Sequence, residues 1–317
     1  MAIEHASVRV ARKPWGVADL RPWSCIDGSG DAVGELWFQR VDENAPHPTL
    51  LLKLLFTSEP LSIQVHPDDA FARSIGLPNG KTEAWYILSA TPDARVAVGL
   101  KRGLTSEELR ASIRDGSIAS LTQWRPAAKG DIIFVPAGTI HAIGAGVVLA
   151  EIQQRSDTTF RLFDHGRKRE LHEESAVAVS DAGPAQTQAS PRCLATGRTV
   201  LIASPQFVLE RIDLQANSNW ALDTDRETWI LVIEGQARIG QIDASVGDAV
   251  FAEADCADIE VGPAGMSGLI AYPGPDPKTS LLQMTSLLRD CGGRTVKSAG
   301  TSAVHSPKSN EIVEAQT

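Results

Sequence analysis

The chain has 317 residues, of which 43% are hydrophobic and 22% charged, and a formal charge of −9. That length suits about two domains at roughly 150 residues each, with ample material for a core. The acidic balance, without any Lys/Arg cluster, argues against nucleic acid as a partner, and no apolar run reaches the ~18 residues of a membrane span.

Cys25, Cys193, Cys256 and Cys291 lie far apart and form no C-x-x-C pair. Neither a disulfide frame nor a thiolate zinc site is expected. Ala2 to Pro14 mixes charges without an apolar core, so a signal peptide is not expected and the cytoplasm is the expected compartment.

Residues 1–20 offer only the small pattern Lys13-Pro14-Trp15-Gly16. Strands are predicted over Gly34 to Phe38 and Leu50 to Phe56, the second an apolar run interrupted by Lys53. Gln64-Val65-His66-Pro67 alternates, which puts Gln64 and His66 on one strand face. Lys81 and Glu83 likewise share a face ahead of the apolar strand Trp85 to Leu88. Between them, Pro67 to Gly80 is rich in Asp, Gly, Pro and Asn and reads as a loop. Arg95 to Leu100 is another strand.

From Leu104 the period changes. Thr105 or Ser106 caps a helix whose first turn carries Glu107 and Glu108, where the dipole favours negative charge. Leu109, Ile113 and Ile118 fit one short amphipathic helix or two broken at Gly116, the only helix expected in the first half. Strands return at Ile132 to Val135, Ile140 to Ile143, Val147 to Ile152 and Arg161 to Phe163. Turns fall at Lys129-Gly130-Asp131 and Pro136 to Thr139.

Asp181 to Arg192 has no periodicity and reads as a linker. Beyond it the pattern partly repeats. Glu227-Thr228-Trp229 echoes Glu83-Ala84-Trp85, and Val246-Gly247-Asp248 echoes Lys129-Gly130-Asp131. The second copy has Ala252-Glu253-Ala254 where the first has Pro136 to His141, so its histidine is missing. Repeated strand-rich units with Gly-Asp turns predict a mainly β fold of two jelly-roll barrels, with a short helical segment in the first half. The expected domains are 1–190 and 191–291, followed by a Ser-, Lys- and Glu-rich tail at 292–317 expected to be disordered.

Gln64, His66, Glu83 and His141 offer one amide, one carboxylate and two imidazoles from inward-facing positions. Such mixed nitrogen and oxygen donors suit zinc, and also manganese, iron or cobalt. For either histidine alone, a hydrogen-bonded barrel residue is the simpler explanation; for the four together it is not. Arg161 could hold a phosphate or an oxyanion, or pair at the surface with Asp157 or Asp164. Lys81 stays in the pocket even if it pairs with Glu83. Arg155 and Arg167 read as solvated, and Trp15, Trp85 and Phe160 as core. His5, His47, His165, His172 and His305 read as surface.

Four segments carry a resemblance: Q-V-H-P-D-D at 64–69, G-K-T-E-A-W-Y-I at 80–87, V-P-A-G-T-I-H-A-I at 135–143 and E-I-Q-Q-R-S-D-T-T-F-R at 151–161. In this order and spacing they resemble type I mannose-6-phosphate isomerases of the short bacterial form. The likeness is strong over about residues 10–170, with the second half similar to a degenerate cupin. It implies a bicupin holding one zinc ion per chain, or another divalent metal, at Gln64, His66, Glu83 and His141. It further implies Arg161 as an essential active-site cation, Lys81 as a pocket residue and Glu151 as the candidate proton-transfer base. The implied reaction interconverts mannose 6-phosphate and fructose 6-phosphate through a cis-enediolate.

The sequence departs from the family pattern at Arg155, where a small polar residue is expected, at Phe160, where Tyr is common, and at His165-Gly166, which replaces an aromatic-acidic pair. Two other readings compete. A different metal-dependent cupin enzyme, such as an oxygenase, would not need Lys81 and Arg161. A non-catalytic sugar-phosphate-binding cupin would be favoured by loss of a ligand or of Arg161, and neither is lost. The second barrel is expected to lack metal and to cover and stabilise the first.

Overall fold

The computed structural model describes residues 3–28, 30–42, 44–185 and 190–285. Strands dominate it, in antiparallel sheets of six, five and ten strands. The six-stranded sheet runs Ser7–Val17, Val33–Gln39, Leu50–Phe56, Val147–Gln154, Glu83–Ala90, Ile132–Val135. The five-stranded sheet runs Phe160–Phe163, Ile63–Val65, His141–Ile143, Arg95–Leu100, Thr122–Pro126. Register therefore brings distant sequence together: Glu151 stands between Lys53 and Trp85, and Gln64 between His141 and Arg161.

Every residue of Leu50–Phe56 is buried, because both faces of this sheet are covered. Leu52, Leu54 and Phe56 join a core shared with Leu209, Trp229, Leu231 and Phe251 of the ten-stranded sheet. Leu55 points the other way, into an interior with Trp85, Ile87 and Leu149. By the same alternation Lys53 faces that interior, which makes the one charge in the apolar run an inward-facing one.

The outer face of the five-stranded sheet, with Ile63, Val65 and Ile140, packs beneath Leu109, Ile113 and Ala176 of covering helices. Helix Ser106–Asp115 starts at Thr105, whose hydroxyl accepts from Glu108 N while the Glu108 carboxylate accepts from Thr105 N. It ends at Gly116 in the left-handed region (φ 78°), which favours glycine, and Ile118–Leu121 forms a second short helix.

Two expectations about helices are corrected. Pro67 to Gly80 contains helix Asp69–Ser74, capped by Asp68 accepting from Phe71 N at 2.7 Å, and Glu173–Val179 is a further first-half helix. Both are too short to show a helical period in sequence. The first 20 residues carry structure: Ile3–His5 crosses over to pair with Ala249–Ala252, and Ser7–Val17 is an edge strand. The start of the supposed linker is bound, with Asp181 N donating to Gly138 O and Leu100 N to Gly183 O. Residues 186–189 of that segment, the 292–317 tail, Cys291 and His305 lie outside the described residues. Among the described residues, Cys25, Cys193 and Cys256 are free and exposed, and no helix is long and apolar enough to cross a membrane.

Candidate metal centre and cavity

His66, Glu83 and His141 form one close group, their donor atoms all within 4.8 Å of one another and each residue 1% exposed. His66 comes from just past the end of strand Ile63–Val65, His141 from the first residue of strand His141–Ile143, and Glu83 from the facing sheet. Each imidazole donates its Nδ1–H to a backbone carbonyl at 2.8 Å, His66 to Thr158 O and His141 to Thr139 O. That fixes the tautomer and turns both Nε2 lone pairs inward.

The two Nε2 atoms lie 3.4 Å from the two carboxylate oxygens of Glu83. Acceptor therefore faces acceptor, an arrangement that a cation between them would stabilise and that the Lys81 ammonium already relieves on the His66 side. Burial, then the Lys81 charge, push His66 down to about 3 against the pull of Glu83. Burial lowers His141 too, so protonated imidazoles do not supply the charge. Burial alone would raise Glu83, but Lys81 and the two histidines outweigh it and hold the carboxylate well below its usual range. Two neutral imidazoles and one carboxylate, oriented by carbonyl partners, fit a divalent ion of the zinc type.

Two residues link this group to a cavity of about 220 Å³. Lys81 Nζ donates to Glu83 and, at 3.0 Å, to His66 Nε2. Gln64 Nε2 lies 3.3 Å from His141 Nε2, and its Oε1 accepts from Ser62 Oγ at 3.0 Å. Half a turn of the Gln64 amide would present its oxygen to the group instead. Both side chains also line the cavity, together with Glu151, Arg161, Arg169 and His172.

Glu151 is buried, 3.3 Å from Lys53 Nζ, and accepts from Trp85 Nε1 at 3.2 Å. The same indole lies 3.1 Å from Glu83 Oε1, so Trp85 bridges the two carboxylates. Burial, then repulsion from Glu83, raise the Glu151 carboxyl above its usual value despite Lys81 and Lys53. Of the seven residues singled out from the sequence, Gln64, Lys81, Glu151 and Arg161 line the cavity, and His66, Glu83 and His141 lie behind Lys81 and Gln64.

Sequence reasoning missed several cavity residues. Lys53, Glu35 and Lys13 line the wall, yet in sequence Lys53 and Glu35 look like lone charges on their strands and Lys13 follows Arg9 and Arg12 on its own. Trp15 is core and cavity wall at once. Arg169 and His172 are at the cavity, the second against the expectation that it is surface. The signal was weak: both follow a polar stretch without periodicity. Arg161 pairs with neither Asp157 nor Asp164. Asp164 instead accepts from Arg169 at 2.8 Å and from Arg167 at 3.1 Å, which leaves the Arg161 guanidinium with a 3.3 Å contact to Glu170 O. Arg155 is not solvated: it donates to Pro48 O at 2.6 Å and Leu50 O at 3.1 Å, the work of a structural clamp. Arg167 is held by Asp164 and by Pro60 O.

Known proteins share both the sequence and the fold. A "Mannose-6-phosphate isomerase" of Streptococcus mutans is 38% identical over 199 residues, covering 60% of this chain and 62% of that protein. "Mannose-6-phosphate isomerase ManA" of Bacillus subtilis is 42% identical over 137 residues, covering 41% and 43%. The chain resembles the mannose-6-phosphate isomerases. It spans less than two thirds of these relatives' length, and no family model matches it. The solved mannose 6-phosphate isomerase of Bacillus subtilis has the same fold, with a TM-score of 0.73 at 24% identity over 86% of this chain and all of that one. The apo enzyme of Salmonella typhimurium matches at 0.68 and 16% identity, covering 86% and 99%.

Proposed function

We propose that the protein is a metal-dependent aldose–ketose isomerase that interconverts mannose 6-phosphate and fructose 6-phosphate. One observation carries the reading. A buried His–Glu–His group is joined through Lys81 and Gln64 to a small polar cavity whose walls bring a raised carboxyl, Glu151, and two guanidinium groups, Arg161 and Arg169. The names borne by the relatives agree with it.

In this reading His66, Glu83 and His141 hold one divalent ion, zinc by donor chemistry, with Gln64 as the fourth ligand through its amide oxygen. A bound ion supplies positive charge that polarises a carbonyl and offsets an oxyanion. Glu151 takes the proton from C2 of the open-chain aldose and returns it to C1. Its raised carboxyl suits both halves of that transfer, because a base must also act as an acid. Lys81 holds Glu83 charged and oriented. Arg161 and Arg169 offset the phosphate charge at the cavity mouth, Arg169 fixed there by its paired bonds to Asp164.

The six- and five-stranded sheets we read as one cupin-type jelly-roll barrel, and the ten-stranded sheet, to which Ile3–His5 contributes, as a second barrel without metal, a bicupin. A cytoplasmic setting suits both the substrate and the free thiols.

The test is a coupled assay of mannose 6-phosphate conversion on metal-loaded, EDTA-treated and His141→Ala protein. Turnover lost on chelation, absent in the variant and restored to wild type by zinc is the expected result. If metal-replete wild type binds the sugar phosphate without turnover, the catalytic reading fails and a binding cupin takes its place.

A further inference from the structure

A row of alternating charges crosses the interior face of the six-stranded sheet, one residue from each of four neighbouring strands. Lys13 Nζ lies 3.3 Å from Glu35 Oε1, Glu35 Oε2 lies 3.8 Å from Lys53 Nζ, and Lys53 Nζ lies 3.3 Å from Glu151 Oε1. Trp85 then carries the row on to Glu83. Glu35, Lys53 and Glu151 are 8%, 3% and 4% exposed, and all four charged residues line the cavity.

Glu35 is itself held. Trp37, two residues along on the same face, donates its indole Nε1 to Glu35 Oε2 at 2.5 Å. The Lys53 ammonium sits over that same ring, 4.4 Å from its centre. Glu35 and Trp37 together therefore form a seat for Lys53, whose ammonium also reaches Glu151 at the cavity wall. Burial would raise the Glu35 carboxyl, but Lys53 and Lys13 overcome it and keep the group below its ordinary value.

A fold has no need of such a row. Buried ion pairs are commonly matched or bettered for stability by apolar side chains of similar volume, and the neighbouring positions Leu55 and Leu149 are already apolar. We propose that Glu35 is a positioning residue, holding the Lys53 ammonium against Glu151 so that this acid–base pair stays fixed over the cavity. Its catalytic consequence rests on the isomerase reading; the seating of Lys53 does not.

The experiment compares wild type, Glu35→Gln and Glu35→Asp, each metal-loaded and checked for folding by thermal unfolding. Steady-state kinetics on mannose 6-phosphate are expected to give a kcat ~10-fold or more lower in Glu35→Gln, with KM within about 2-fold. Glu35→Asp, which keeps the charge but draws it back, is expected to fall between. Acylation of Lys53 by acetic anhydride, followed by peptide mass spectrometry, needs no turnover. The amine is expected to label several-fold faster in Glu35→Gln, having lost one of its two carboxylate partners. If wild type shows no turnover, the isomerase reading fails while the labelling still decides the seat. Wild-type kcat together with unchanged Lys53 labelling in folded Glu35→Gln overturns the proposal. Should Glu35→Gln not fold, the same pair of results in Glu35→Asp overturns it.

Discussion

Glu83-Ala84-Trp85 and Glu227-Thr228-Trp229 have one local geometry and two different fates. In each, alternation puts glutamate and tryptophan on one face, and the indole Nε1 donates back to the carboxylate, at 3.1 Å in the first half and 3.0 Å in the second. Glu83 turns its remaining capacity to His66, His141 and Lys81. Glu227 turns its own to the first half of the chain, accepting from Thr49 N at 2.5 Å, Thr49 Oγ1 at 2.8 Å and Leu50 N at 2.9 Å. A strand glutamate joins a histidine–lysine cluster or clamps backbone amides according to what the opposing strands bring to it. No histidine falls among the described residues of the second half, and Glu227 has no acceptor capacity left for a cation.

The sharpest break of this comparison is the same change made twice. Glu83→Gln should lose bound metal, by elemental analysis, and turnover ~100-fold or more. Glu227→Gln should keep metal and most turnover. It removes a charge that accepts three bonds at the junction between the halves, so it should unfold about 2–3 kcal/mol more easily in urea. Loss of metal from the Glu227 variant, or full stability in it, would contradict the division of roles.

Acid should separate the halves next. His66 is held to about 3 in the fold by burial, then by Lys81, against an unfolded value near 6.5. A base with a depressed folded pKa stabilises the protein above pH 6.5. That contribution drains away as pH falls toward 3, because only the unfolded chain accepts the proton readily. At pH 5 the loss from this one group is about 2 kcal/mol. Unfolding of metal-free protein between pH 7 and 5 should show it, and His66→Asn should flatten the curve. A wild-type stability that stays level over that range would count against a neutral, buried His66.

The parts of the site legible in sequence are those written in short-range code. Gln64 and His66, or Lys81 and Glu83, are two apart on strands and share a face by alternation alone. Pro136 to Thr139 announces the turn that presents His141. Lys53, Glu35 and Lys13 were illegible for the opposite reason. Each sits on its own strand, and only the cross-sheet register, Glu151 opposite Lys53 and Lys53 opposite Trp37, makes them one row. Helices Asp69–Ser74 and Glu173–Val179 escaped because two turns carry too little periodic signal. The clamp made by Arg155 escaped because its partners are backbone carbonyls, which no side-chain pattern encodes.

The smallest expected effect tests the part of the comparison where the halves agree. At Gly130-Asp131 and Gly247-Asp248 the hydrogen bonds repeat one for one. Gly130 N donates to Ile87 O at 2.8 Å and Gly247 N to Val232 O at 3.0 Å, while Ile87 N and Val232 N donate to Asp131 O and Asp248 O, both at 3.0 Å. Each Asp side chain accepts from the amide three residues back, Ala128 N or Ser245 N, at 2.9 Å. Both glycines are left-handed, at φ 90° and 92°, as the turn demands. Asp131→Ala and Asp248→Ala should each cost about 1 kcal/mol, the worth of the lost amide bond. Asp248 should run higher, because it also accepts from Ser245 Oγ at 2.9 Å and lies 3.1 Å from His5 Nε2. Neither carboxylate lines the cavity, so turnover should be unchanged in both. Equal costs measured by urea unfolding would mean that the turns are one structural device used twice. A cost confined to one half would mean that the hydrogen bonds match while the two halves of the chain rely on them differently.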